Sequence, residues 1–343
     1  MNDSTVRSGA TMKAILLDGF GGPETMRFAD DVPRPEPGPG EVLVRVAATS
    51  VNRPDLVQRE GNYAPPAGES GILGLEVAGV IEALGDDVDA RQVGDRVFAL
   101  VAGGGYAEYT VARSDHCLGV PDGLTLRQAA CIAETYLTAW LNVFELGALQ
   151  DGESALLHGG GGGVNTAAIQ LCGAFASSST LYVTASAGKL DRVRELGAEH
   201  VFDYRTTRFA DKIRTLTGKR GVDLILDHMG ASYLADNQRS LALGGRLVSI
   251  GIMGGGKAEL NIAALMVKRQ RIIGSVLRSR PPVEKAALIA RFAERVCPKF
   301  ADGTLRPLVS DVVPLAQAAD AHRAMAQGSH FGKIVLDVAP GLT

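Results

Sequence analysis

Residues 154–171 read SALLHGGGGGVNTAAIQL. A short apolar run ends at His158, five glycines follow from Gly159 to Gly163, and an apolar-periodic stretch begins at Val164. This order predicts a buried strand, a tight turn and a helix over 164–175. The same alternation continues on both sides of the turn. Strand-like runs fall at 154–158, 180–185, 200–203, 222–227, 245–250 and 271–276, with helical segments at 164–175, 188–196, 207–216 and 231–242. Short apolar strands alternating with helices predict a parallel sheet covered on both faces, and six of them match the doubly wound α/β fold.

In that fold, a glycine-rich strand-to-helix turn accepts the pyrophosphate of a dinucleotide. Gly160 and Gly162 fill the first two positions of the G-x-G-x-x-G pattern, and Asn165 stands at the third. The first glycine permits the turn, the second lets the backbone approach phosphate, and the third serves helix–strand packing. Its loss is expected to perturb packing more than binding, because the helix N-terminus keeps its free N–H groups. Gly160, Gly161, Gly162, Gly163 and Val164 are therefore candidate cofactor-binding residues. An NAD site usually carries an acidic residue about 20 positions on, at the end of the second strand. Here that strand ends Thr184-Ala185-Ser186-Ala187-Gly188-Lys189. A hydroxyl and a lysine replace the acid and suit a 2′-phosphate, so the expected cofactor is NADPH. Tyr204, past the third strand, is placed to close over the same group.

The first third of the chain is different. Runs at 41–48 and 97–101 are β-branched and strand-like, 73–84 is apolar and punctuated by glycine, and Pro/Gly-rich turns at 33–40 and 63–71 separate them. Many short strands with such turns predict a barrel-like unit. From 125 to 146 apolar residues recur at helical spacing over about six turns. A further helix is expected at 283–297, and a strand at 332–338 that rejoins the first domain. The expected division is a disordered extension at 1–11, a β-rich domain at 12–132 and 302–343, and a nucleotide-binding domain at 133–301.

Composition narrows the function classes. With 35 basic and 38 acidic side chains the formal charge is −3, which leaves no electrostatic footprint for nucleic acid or an anionic membrane. No apolar run approaches the ~20 residues that span a bilayer. Cys117, Cys131, Cys172 and Cys297 form no CxxC unit and follow no secretory leader, which points to reduced thiols in the cytoplasm.

The segments VNRPDLVQREGNYAPP (51–66), ILGLEVAGVI (72–81), AACIAETYLTAW (129–140), HGGGGGVNTAAIQL (158–171), SLALGGRLVSIG (240–251), GSVLRSRPP (274–282) and HFGKIVL (330–336) together carry a family. From Met12 onward the chain resembles the quinone oxidoreductase branch of the medium-chain dehydrogenase/reductase superfamily, nearest to its p53-inducible type. The resemblance implies a GroES-like catalytic domain, a Rossmann domain, a cleft between them and a homodimer. Zinc-using relatives place a Cys at the position of Asn52, a His at Leu75 and a Cys near Glu134–Thr135. Asparagine, leucine and threonine cannot supply that ligand set, so no metal is expected. Only Glu76 survives from the motif around the histidine.

Metal-free hydride transfer then requires mainly that the nicotinamide be set against an acceptor and water excluded. By resemblance, Asn52, Tyr63 and Thr138 surround the nicotinamide end as candidate catalytic residues. Each has a plainer alternative. Asn52 grips a ligand carbonyl or caps a turn, Tyr63 donates to a developing phenolate or packs on Pro65 and Pro66, and Thr138 contacts nicotinamide or is an ordinary helical threonine. Gly251, Met253, Leu277, Phe331, Gly332 and Lys333 match segments that approach the cofactor in the family. His158, His228 and Asp227 end strands and are read as structural. The expected activity is NADPH-dependent reduction of a quinone-like acceptor. The alternatives are reduction of an enone, enal or enoyl double bond, or a weakly catalytic NADPH-binding sensor.

Overall fold

The computed structural model describes residues 10–342. The expected extension lies outside the described residues as far as residue 9. Its last residue, Thr11, instead opens a strand, and Thr11 pairs with Pro33. The chain divides into two units, with boundaries after Glu134 and after Leu308. The sequence reading set them after 132 and after 301.

Up to Glu134 the strands are β1 (Thr11–Leu17), β2 (Met26–Pro33), β3 (Glu41–Ser50), β4 (Glu76–Leu84), β5 (Arg96–Leu100), β6 (Tyr109–Arg113) and β7 (Cys117–Gly119), with helices α1 (Arg53–Arg59) and α2 (Leu126–Ala129). Helix α3 (Ala133–Trp140) contains the boundary. The second unit contains β8 (Ser154–His158), α4 (Gly163–Phe175), β9 (Thr180–Ala185), α5 (Leu190–Glu195), β10 (His200–Asp203), α6 (Phe209–Leu216), β11 (Val222–Asp227), α7 (Leu234–Ser240), β12 (Leu241–Ser249), α8 (Ile262–Val267), β13 (Arg271–Gly274), α9 (Pro282–Arg295) and α10 (Cys297–Ala301). The first unit is completed by β14 (Val309–Pro314), α11 (Ala318–Gln327) and β15 (Lys333–Asp337).

In the second unit, six parallel strands run in the order β10-β9-β8-β11-β12-β13, as in a doubly wound dinucleotide-binding fold. The middle strands β8 and β11 are buried at every position, which is why they read as continuous apolar runs. The first unit is a GroES-like arrangement. A seven-stranded sheet follows β14-β15-β3-β4-β5-β7, with β6 also paired to β3, and β1 and β2 form a separate ribbon. The strand predicted at 332–338 does rejoin this unit, as β15 pairs antiparallel with the end of β3.

The single helix expected over 125–146 is a correction. Four residues of α2 are followed by a break, then by α3, then by a π-helical turn at Leu141–Leu146. Asn142 explains the widening. Its Nδ2 donates to the carbonyl of Thr138 at 2.7 Å, while the Gly147 amide reaches five residues back to the Asn142 carbonyl at 3.1 Å.

In the first unit a buried polar chain fixes α1. Arg59 Nη1 donates to His322 Nδ1 at 3.1 Å, so the imidazole proton sits on Nε2, 3.0 Å from the Tyr106 hydroxyl. Tyr106 in turn donates to Asp55 Oδ2 at 3.1 Å, and the Asn52 amide donates to the same oxygen at 2.8 Å. Burial and the neighbouring Arg59 hold the His322 imidazole down at about 3, so it stays neutral. Burial pushes the Asp55 carboxyl up to about 6, against the pull of its hydrogen bonds and of Lys333. Replacing His322 with Phe keeps the volume but strands a buried guanidinium N–H and a buried phenol. His322→Phe is expected to lower the unfolding free energy by about 3 kcal/mol, read from urea midpoints, and a loss below about 1 kcal/mol would refute the brace.

Candidate functional site

In the second unit the glycine turn is drawn tightly onto the sheet. Gly159 adopts φ +75°, and the amides of Gly159 and Gly160 both donate to the Thr184 carbonyl, at 2.9 and 2.8 Å. A side chain at Gly160 would collide with Val183 on β9, and one at Gly159 would meet His228 Cε1 at 2.5 Å. Gly162 caps α4, leaving the N–H groups of Gly163, Val164 and Asn165 in its first turn without intrahelical acceptors. This is the free, positive end that a pyrophosphate requires.

Asn165 is more than a lost glycine. It is buried, and its Nδ2 donates to the carbonyls of His158 at 2.5 Å and Gly159 at 3.3 Å, clamping the end of β8 to the turn. Its Oδ1 is buried without a partner. His158 completes the frame. Nε2 lies 2.8 Å from Asn237 Oδ1 and Nδ1 lies 3.1 Å from the Thr184 hydroxyl, which itself accepts from the Gly159 amide. Burial holds this imidazole down at about 4, neutral and structural, as its place at a strand end implied.

The side chains expected at the 2′-phosphate gather at the ends of β9 and β10. Lys189 lays its aliphatic stem over Gly161, where any side chain would displace it. Its amide donates to Ser186 O, and the Tyr204 amide donates to Ala185 O, which sets Tyr204 beside the same strand end. Burial and the nearby Arg192 lower the Lys189 ammonium from its usual range, a cost that an anion would relieve. Gly251 leaves room for His228, and Met253, largely exposed, donates its amide to the His228 carbonyl. Leu277 is buried beyond β13. Thr138 is buried with its Oγ1 unpartnered. The glycine cradle, the free helix end and this cation fit a dinucleotide.

The first unit brings Asn52, Glu76 and Lys333 together. Lys333 Nζ donates to Val51 O at 2.8 Å and to Asn52 Oδ1 at 2.5 Å, and pairs with Glu76 Oε1 at 3.1 Å. Glu76 Oε1 also takes Asn52 Nδ2 at 3.0 Å and the Ser50 hydroxyl at 2.5 Å, while Oε2 takes the Glu134 amide at 2.9 Å. The Asn52 amide is hydrogen-bonded on both sides, its weakest leg being 3.3 Å to Ser50 O. The three ammonium protons of Lys333 each have an acceptor within the first unit. Phe331 is buried, Gly332 takes φ +87°, and Tyr63 is half-buried in the loop after α1. Sequence reasoning missed the pairing of Lys333 with Glu76 and the chain through Asp55, Tyr106 and His322. One signal was available for the first, a lysine heading the apolar run Ile334–Leu336.

Zinc does not fit the donors present. Asn52, Leu75 and Thr135 occupy the ligand positions, and Lys333 already sets a positive charge against Asn52 and Glu76. Among the described residues no group of three His, Cys, Asp or Glu side chains is gathered to hold a metal.

Residues 38–122 match the family model for an alcohol dehydrogenase GroES-like domain, and residues 196–336 match one described as a zinc-binding dehydrogenase. Quinone oxidoreductase of Rattus norvegicus is 34% identical over 330 residues, covering 95% of this chain and 97% of the relative. Among solved structures, the JamJ enoyl reductase superposes with a TM-score of 0.86 at 26% identity, covering 96% of this chain and 99% of that one. A mycobacterial protein complexed with NADPH gives 0.83 at 29% identity, covering 95% and 100%.

His158 supplies a pH test. The unfolded imidazole titrates near 6.5 and the folded one near 4, so the unfolded chain binds more protons between those values. The stability concerned is present above pH 6.5 and is lost as pH falls through the window to 4. His158→Asn is expected to flatten the fall in urea midpoint between pH 6.5 and 4 relative to the parent, and parallel profiles would contradict a neutral His158.

Proposed function

This chain belongs to the medium-chain dehydrogenase/reductase superfamily as a quinone-oxidoreductase-like member that binds a nicotinamide dinucleotide, and we propose that it is a zinc-independent NADPH:quinone oxidoreductase. The observation that carries the zinc-independent chemistry is the buried cluster in which the Lys333 ammonium lies against Glu76 and against Asn52, the latter at one position that the resemblance assigns to a zinc ligand. The bound dinucleotide supplies the hydride. The free amides of Gly163 and Val164 hold its pyrophosphate, Gly160, Gly161 and Gly162 give the backbone room to approach it, Ser186 and Lys189 take the 2′-phosphate, and Tyr204 covers that group. Thr138, with its unpaired hydroxyl, faces the nicotinamide. Gly251, Met253, Leu277, Phe331 and Gly332 complete the proposed cofactor-binding set. Asn52 and Tyr63 serve the acceptor. A quinone gains one hydride and one proton from water and leaves as hydroquinone, its oxygen needing only a hydrogen-bond donor as charge develops.

A second reading, reduction of a conjugated or enoyl double bond, is favoured by the similarity to the JamJ enoyl reductase. It uses the same cofactor and differs only in the acceptor. The four cysteines, none in a disulfide and three buried, support a reducing cytoplasmic setting. Among the described residues no helix is long and apolar enough to cross a membrane. A homodimer is supported by β13, which among the described residues hydrogen-bonds only β12, carries the exposed Ile272 and is flanked in sequence by the exposed Met266, Val267 and Val276.

Dinucleotide oxidation in the presence of chelator, with 1,4-benzoquinone, 9,10-phenanthrenequinone and a simple enone as acceptors, tests the reading. Quinone turnover with NADPH is expected, and turnover of the enone alone would move the assignment to the second reading. Lys189→Ala should raise the NADPH KM about tenfold or more and leave that for NADH nearly unchanged, and equal losses would refute the 2′-phosphate assignment. Sedimentation equilibrium is expected to report twice the 35.9 kDa chain mass, whereas the mass of a single chain would exclude the dimer.

A further inference from the structure

Lys333 is a cation buried among apolar neighbours on its own strand, since Ile334, Val335 and Leu336 are wholly inaccessible. Its ammonium has three protons and three acceptors, all within the first unit. We propose that Lys333 is a positioning residue for the acceptor end of the active site, acting through the carboxamide of Asn52. This rests on the reading that the acceptor is reduced beside Asn52.

A cation on Oδ1 draws electron density from the amide and strengthens its Nδ2 donors. One Nδ2 proton is held by Glu76 Oε1 at 3.0 Å. The other is held loosely, 3.3 Å from Ser50 O, and is the leg that an acceptor oxygen can displace. Hydride arrival places negative charge on that oxygen, where a donor fixed and polarised in advance is worth most. Glu76 has a different part. It balances the lysine and prevents the amide from flipping, since reversing Asn52 would set its oxygen on a carboxylate and its NH2 on an ammonium.

A merely structural ion pair would leave a similar appearance, and charge-neutral replacement separates the two. Lys333→Met and Glu76→Gln each strand one buried charge, and both single variants should melt well below the parent. The double variant removes both charges and should regain most of that loss. Its kcat with 1,4-benzoquinone should nevertheless remain about 100-fold down, with the dissociation constant for NADPH within about twofold of the parent. Recovery of kcat to within about threefold in the double variant would overturn the proposal and make the pair structural. NADPH binding weakened about tenfold or more with kcat preserved would overturn it in favour of a direct cofactor contact. If the parent reduces enones but not quinones, only the quinone reading fails, and the same ratios judge Lys333 on the enone. A parent inactive on both acceptors overturns reading and proposal together.

Discussion

The carboxylate of Glu76 is inaccessible to solvent, and much of the first unit follows from satisfying it. A buried carboxylate is tolerated only when charge and lone pairs are both answered. Four donors do so, from the end of β3, from Asn52, from the head of β15 and from the start of α3. The Glu76 carbonyl is held as well, by the Thr49 hydroxyl at 2.6 Å. Segments far apart in sequence are thereby fixed around one group. The constraint extends further because Asn52 also donates its backbone amide to Asp55, the first member of the chain through Tyr106 and His322 to Arg59. Asn52, Glu76 and Lys333 thus sit in a lattice of directed hydrogen bonds that defines one arrangement.

The second unit solves its equivalent problem without charge. The glycine turn must come close to β9 to leave space for phosphate, and neutral groups hold it there. Thr184 contributes its carbonyl and its hydroxyl, His158 bridges that hydroxyl to Asn237, and Asn165 gathers two carbonyls at the mouth of the turn. Keeping these groups neutral leaves the field at the turn to the helix end and to Lys189, both attractive to an anion.

Much of this was legible in the sequence where burial on both faces produced unbroken apolar runs. The strands at 154–158, 180–185, 200–203 and 222–227 begin and end where the sequence reading placed them. Errors arose where a local bond overrides periodicity. β12 starts at Leu241 rather than 245, because Gly244 at φ +74° bends within the strand instead of ending it. The helix expected at 125–146 ends in a π-turn where the Asn142 side chain competes for a backbone carbonyl, which no spacing rule reports. For the site, the glycine pattern and the missing acid after β9 could be seen from residue types alone. The partner of Lys333 could not, since 257 residues separate it from Glu76 and only the fold brings them together.

The π-turn at Leu141–Leu146 makes this segment sensitive to length in a way that composition does not show. It accommodates one residue more than regular α-helical turns would admit. Deleting a single residue there would let the helix close with regular bonds, and each side chain between the deletion and Gly147 would turn by about 100° relative to Trp140. Glu145 would leave both Trp140 Nε1, at 3.2 Å, and Arg291, at 2.7 Å, and Phe144 would lose its stack on Trp140. Point substitutions along this stretch can be absorbed one side chain at a time. Insertions and deletions cannot, because the register of the whole turn is what joins α3 to α9.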